Sequence, residues 1–150
     1  MQAFWLDDGP DAVIPASLLE AHDVHYRALP TDPAAYQGPL DTLKAARGYV
    51  AQDLVTLAPD TPGLAAMEQK FVGEHHHSDD EVRFVLEGDG IFDIRADDDR
   101  WMRVVVEPGD LIVVPAGRHH RFLLTERKAI RCVRLFQDAA GWVPHDREVP

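Results

Sequence analysis

A period-two alternation of apolar and polar residues runs from Phe71 to Phe136, punctuated at short intervals by Gly, Pro and Asp. Side chains on a strand point alternately to opposite faces, so this half of the chain is expected to form half-buried strands, not helices. The stretch VRFVLEGDGIFDIRA reads as two strands around Gly88-Asp89-Gly90, which is a hairpin signal. DDDR at 97–100 marks another turn, and strands are expected over 101–107, 111–115, 119–125 and 129–136. Short strands at this spacing predict a closed antiparallel sandwich or barrel. Residues 1–70 read differently, with helices expected over 15–22, 40–47 (closed by Gly48) and 64–70. A short strand is expected over 24–29, a Pro-, Asp- and Gly-rich loop over 31–39, and a β-prone stretch over 49–57. The expectation is one domain over 1–150, with a helical region 1–70 packed on a barrel core 71–136.

Charge and cysteine usage narrow the function. The net charge of −11 opposes binding to phosphate backbones or anionic lipid, so neither nucleic acid nor a membrane surface is an expected partner. The single Cys allows no internal disulfide and no thiol cluster for zinc or iron–sulfur. The N-terminal MQAFWLDDGPD lacks a basic segment followed by an apolar run, and no apolar run reaches membrane-spanning length. A cytoplasmic protein is the expectation, as a monomer or small homo-oligomer. What stands out is eight His, five of them in two tight clusters.

The first cluster is Glu74-His75-His76-His77-Ser78-Asp79-Asp80-Glu81. On a strand His75 and His77 share a face and His76 takes the other. Glu81 follows a Ser-Asp-Asp bend and can return to the same pocket. Two imidazoles and a carboxylate suit a divalent metal such as Fe(II) or Ni(II). The alternatives are a solvated polar loop, or three consecutive His that bind metal adventitiously. In the second cluster, GDLIVVPAGRHHRF at 109–122, His120 shares a face with Phe122 and Leu124 and should point inward. A lone inward His is more often a satisfied core residue, but beside His75, His77 and Glu81 the ligand reading is the better one. His76 and His119 are read as bystanders, and His22, His25 and His145 as surface or structural.

The spacings His75-x-His77-x3-Glu81-x6-Gly88 and Gly109-x5-Pro115-x-Gly117-x2-His120 resemble the two motifs of the cupin superfamily. The departures are Gln69, where the first motif usually begins with Gly, and Leu124, where the second usually ends with Asn. The resemblance implies a mainly β fold, a double-stranded β-helix or jelly-roll barrel with short N-terminal helices, but no activity. A narrower similarity is carried by KFVGEHHHSDDEVRF at 70–84, Glu87-Gly88-Asp89-Gly90-Ile91-Phe92, Val114-Pro115-Ala116, and Arg134-Leu135-Phe136 with Gly141-Trp142. Together with Gly48-Tyr49 and Asp53-Leu54-Val55-Thr56-Leu57, these resemble acireductone dioxygenases over residues 40–142.

That resemblance implies a small-molecule acireductone substrate, O2, and one divalent transition metal per chain, Fe(II) or Ni(II), in methionine salvage. The iron form would give the 2-oxo acid precursor of methionine and formate, and the nickel form a shorter thio acid, formate and CO. Three neutral imidazoles, one carboxylate and a divalent cation would leave a single net positive charge, compatible with an enediolate substrate. Arg83 shares the face of Glu81; it is either a surface Arg paired with carboxylates or, as the resemblance implies, a catalytic group holding the substrate dianion. Arg134 lies on an otherwise apolar face, where its partner is either a buried carboxylate or the substrate anion. Glu74 and Asp80 flank the ligands and could orient an imidazole. The resemblance implies that Glu74 assists metal loading and that Asp80 relays local changes. Phe71, Phe84, Phe122 and Trp142 are candidates for an apolar slot around a thioether tail, core packing being expected for at least two. Cys132 reads as a small buried hydrophobe. The competing readings are a metal-dependent cupin isomerase or lyase acting on a small sugar or acid, and a non-catalytic ligand-binding cupin.

Overall fold

A computed structural model describes residues 1–137 and, for backbone and pairing alone, residues 144–146. Its strands form two antiparallel sheets. The first, sheet A, contains β1 (Gln2–Trp5), β4 (His75–His77), β6 (Gly90–Arg95), β7 (Trp101–Val106), β9 (His120–Leu123) and β11 (Pro144–Asp146), in the order β1-β7-β6-β9-β4-β11. The second, sheet B, contains β2 (His25–Ala28), β3 (Ala51–Leu57), β5 (Glu81–Gly88), β8 (Asp110–Val114) and β10 (Ile130–Phe136), in the order β2-β8-β5-β10-β3. The helices are α1 (Ala16–Ala21), α2 (Pro33–Arg47) and α3 (Leu64–Val72). The region 1–70 thus supplies three helices and also β1, β2 and β3.

The alternation read from the sequence sorts side chains between two cores. Val85, Phe92, Ile94, Met102, Val104, Ile112 and Val114 meet between the sheets. On the other side of sheet B, Val82, Phe84, Val113, Val133 and Leu135 pack against Tyr36 and Leu40 of α2. Sheet B is therefore buried on both faces, which is why LIVV and EVRFV read as near-continuous apolar runs.

Three local expectations are overturned. Most of the expected 31–39 loop is helical, from Pro33 onward: Asp32 caps α2 by accepting from the Ala34 amide at 3.1 Å, and Pro33 stands at the first helical position, where its missing N–H costs nothing. Pro39 sits inside α2, a position that disfavours a helix, but burial of Tyr36 and Leu40 against sheet B offsets it. Gly48, at φ +75°, closes α2 and donates to the Lys44 carbonyl at 2.9 Å.

Gly88-Asp89-Gly90 is not a hairpin. β5 pairs with β8 and β10, whereas β6 pairs with β7 and β9, so this turn is a corner between the sheets. Gly88 has φ +74°, and any Cβ there would collide with the Ala129 carbonyl where β10 begins. A Cβ on Gly90 would meet the Phe122 ring at 2.6 Å. Both glycines answer to close approach across the corner. Phe71, read as the first residue of the strand region, lies in α3.

Candidate metal centre

The two sheets bring their inward polar residues together at one end of the interior. β4 supplies His75 and His77, the adjacent β9 supplies His120, and the His75↔His120 register fixes their proximity. The three are buried, and one ligating atom from each lies within 4.8 Å of the others. From sheet B, Glu81 reaches across the interior. Its Oε2 is 2.7 Å from His120 Nε2, and its Oε1 is 3.8 Å from His77 Nε2.

Backbone carbonyls set two of the rings. Nδ1 of His75 is 2.7 Å from the Gly73 carbonyl, and Nδ1 of His120 is 2.8 Å from that of Arg118. A carbonyl can only accept, so Nδ1 carries the hydrogen in each ring, and neutral Nε2 keeps its lone pair for a ligand. Main-chain atoms thus orient these two rings, and Glu74 engages Arg95 at 3.0 Å.

Charge is arranged to keep a carboxylate here. Burial alone would raise the Glu81 pKa, but the charges of Arg83, His120 and His77 outweigh it and hold the carboxyl far below its usual range. Burial would likewise lower His120, and the adjoining Glu81 carboxylate reverses the sign, raising it above the ordinary imidazole value. Although Glu81 Oε2 and His120 Nε2 are 2.7 Å apart, neither has a partner at hydrogen-bond geometry. Two buried polar atoms so close, yet not aligned on each other, are what a shared cation would satisfy. With three imidazoles and one carboxylate, the donor set fits a divalent transition metal.

A pocket of about 630 Å³, open solvent at its mouth included, adjoins this cluster between the sheets. His75, Glu81 and Arg83 form its polar end, while Val55, Leu57, Phe71, Phe92, Phe122, Ile130 and Cys132 form the apolar remainder. Arg83 is buried and donates to Glu81 Oε1 at 3.0 Å and to the Val82 carbonyl at 2.9 Å. Arg134 also lines the pocket, and its guanidinium grips Asp53 of β3 through two bonds of 2.8 and 2.6 Å. That partner is a partly exposed carboxylate, where the sequence left a buried carboxylate and the substrate anion as alternatives.

Phe71 and Phe122 meet edge to face at 6.0 Å on the pocket wall. Phe84 does not belong there: alternation with Arg83 turns it to the far side of sheet B, 5.0 Å from the Tyr36 ring. Trp142 lies outside the described residues. Asp80 accepts from the Tyr49 hydroxyl at 2.8 Å and the Ala116 amide at 2.9 Å, and Gly117 N–H donates to the His77 carbonyl at 2.9 Å. Asp80 thus ties the turn before β5 to the turn after β8. Burial, then Asp80, raises the Tyr49 hydroxyl pKa, so it stays a donor. Cys132 is buried, and burial raises its thiol pKa, consistent with an inert wall residue. Sequence reasoning missed Val55, Leu57, Phe92 and Ile130; the signal was present in the alternation of 53–57 and in Phe92, the register partner of Phe122.

Known proteins resemble this chain in sequence and in fold. The profile of the ARD/ARD' family matches residues 10–144. An acireductone dioxygenase of Dictyostelium discoideum is 43% identical over 147 residues, covering 98% of this chain and 99% of its own. One from Heterostelium pallidum is 45% identical over 133 residues, covering 89% and 91%. Among solved structures, the acireductone dioxygenase from Bacillus anthracis with cadmium ion in its active center superposes with a TM-score of 0.88. It is 30% identical and covers 95% of this chain and 96% of its own. The match runs through both sheets and the His-bearing strands, and the chain belongs to the acireductone dioxygenase family, oxidoreductases that incorporate molecular oxygen.

Proposed function

We propose that this chain, acting as a single cupin domain over residues 1–150, cleaves an acireductone with O2 in methionine salvage, with Fe(II) or Ni(II) held by His75, His77, Glu81 and His120. The observation that carries the reading is the buried cluster of three imidazoles and one carboxylate, which opens into a pocket that is polar at the cluster and apolar beyond it. When bound, the metal supplies Lewis acidity toward an enediolate. The remaining tasks fall to the chain's own residues. Arg83, buried against Glu81 and lining the pocket, balances the negative charge of a substrate dianion and receives its oxygens. Arg134, anchored by Asp53, adds positive charge on the same wall. Phe71 and Phe122, with Val55, Leu57 and Ile130, suit a methylthio tail and exclude water from it. Glu74 and Asp80 act at a distance from substrate, by holding Arg95 and by bracing the turns beside the ligands.

The test is product analysis after reconstitution. With Fe(II), the expected products are the 2-oxo acid precursor of methionine and formate; with Ni(II), the shorter thio acid, formate and CO. Identical product ratios with both metals would remove the metal-dependent part of the reading. An isomerised product formed without O2 would favour the isomerase alternative.

A further inference from the structure

The outer face of sheet A carries two imidazoles that the internal cluster does not use. His75 and His77 face the interior, so His76 between them faces outward, and His119 stands in the same relation to the inward His120. The His76 and His119 ring centroids are 4.7 Å apart, with an interplanar angle of 62°. Within the internal cluster the centroid separations are 4.6, 4.9 and 5.2 Å and the angles 61°, 67° and 52°. The outer pair therefore repeats the mutual spacing and tilt of rings whose nitrogens can share one ion. Strand pairing holds this spacing: His75 is in register with His120, and the His119 carbonyl accepts from the Arg95 amide at 3.0 Å.

Two further observations favour a cation here. The arginines of that face are held by carboxylates, Arg95 by Glu74 at 3.0 Å, and Arg103 and Arg121 together by Asp93 at 2.7 and 2.8 Å. A net charge of −11 adds a long-range attraction for cations.

We propose that His76 and His119 form a second transition-metal site, on the outside of the barrel, for a borderline divalent ion of the Ni(II), Cu(II) or Zn(II) class. It offers two imidazoles and is partly open to water, so it binds more weakly than the four-residue internal cluster and exchanges its ion readily. Because β4 and the entry to β9 carry ligands on both faces, the two sites lie back to back across one layer of backbone.

The test uses untagged holoprotein, its internal site filled with Ni(II) and counted by elemental analysis, then titrated with further Ni(II) by calorimetry. One additional equivalent per chain is expected. His119→Ala and His76→Ala should each weaken that step by about tenfold or more, a change of about 1.4 kcal/mol, with the internal nickel retained. Should either variant lose the internal nickel, His119→Gln, which keeps side-chain bulk beside His120, takes its place with the same expectation. Absence of a second equivalent in the wild type, or a second step unchanged in the variants, would overturn the proposal. A surplus of nickel bound with no fixed stoichiometry would do the same.

Discussion

In the proposed function, Arg83 is the residue on which the chemistry turns. Its guanidinium, 3.0 Å from Glu81, is buried at the polar end of the pocket, where a removed charge cannot be replaced by water. Arg83→Ala is expected to lower kcat by about 10² or more while leaving metal content unchanged, as measured by steady-state kinetics beside elemental analysis. Lost metal would instead make it a structural support for Glu81. The four polar residues of the cluster were legible because metal ligation needs particular residue types at strand spacing, and the sequence holds few arrangements that qualify. The same spacing rule should have excluded Phe84, since neighbours on a strand cannot both face one pocket. The carbonyls of Gly73 and Arg118 were not legible, because any residue supplies a carbonyl and only the turn geometry aims it.

At the scale of elements, the site depends on which sheet each strand joins. β4 and β9 bring the imidazoles from sheet A, and β5 brings Glu81 and Arg83 from sheet B. The Gly88-Asp89-Gly90 corner is what sends β5 and β6 to different sheets. Gly88→Ala would force a side chain onto the Ala129 carbonyl at a positive φ. It is expected to destabilise the fold by about 1–3 kcal/mol, seen as a lower melting temperature. The two-glycine turn looked like a hairpin because local sequence reports turn chemistry and cannot report the sheet to which the next strand adds. The helix over residues 33–47 was hidden for a related reason: Pro39 argues against a helix locally, and the burial of Tyr36 and Leu40 that overrides it is a tertiary contact. Asp80 links elements that are distant in sequence. Tyr49→Phe removes one of its donors and is expected to cost about 1 kcal/mol in urea unfolding. It should also speed metal release by loosening the turn before β5.

For the whole molecule, the three imidazoles come from sheet A and Glu81 from sheet B, so an ion held by all four would clip the barrel closed. Any ligand that binds only the folded state stabilises it by mass action: about 4 kcal/mol when free metal is about 1,000 times Kd. Exhaustive chelation is therefore expected to lower the melting temperature by several degrees, and readdition of Fe(II) or Ni(II) to restore it. A melting temperature indifferent to chelator would mean that the cluster does not hold metal in the folded protein. The overall charge of −11 opposes an anionic substrate at long range, so under the proposed function capture would depend on the short-range field of Arg83, Arg134 and a bound metal inside a low-dielectric pocket.

The central claim is that the buried His–Glu cluster is where O2 meets an acireductone. The most direct measurement mixes an acireductone with metal-reconstituted protein in an oxygen-electrode cell and follows loss of the enediol absorbance alongside O2 uptake. Wild-type protein loaded with Fe(II) or Ni(II) should consume O2 and enediol together, far above the spontaneous rate, and His120→Ala should remain at background. No acceleration with either metal, or an undiminished rate in His120→Ala, would contradict the account.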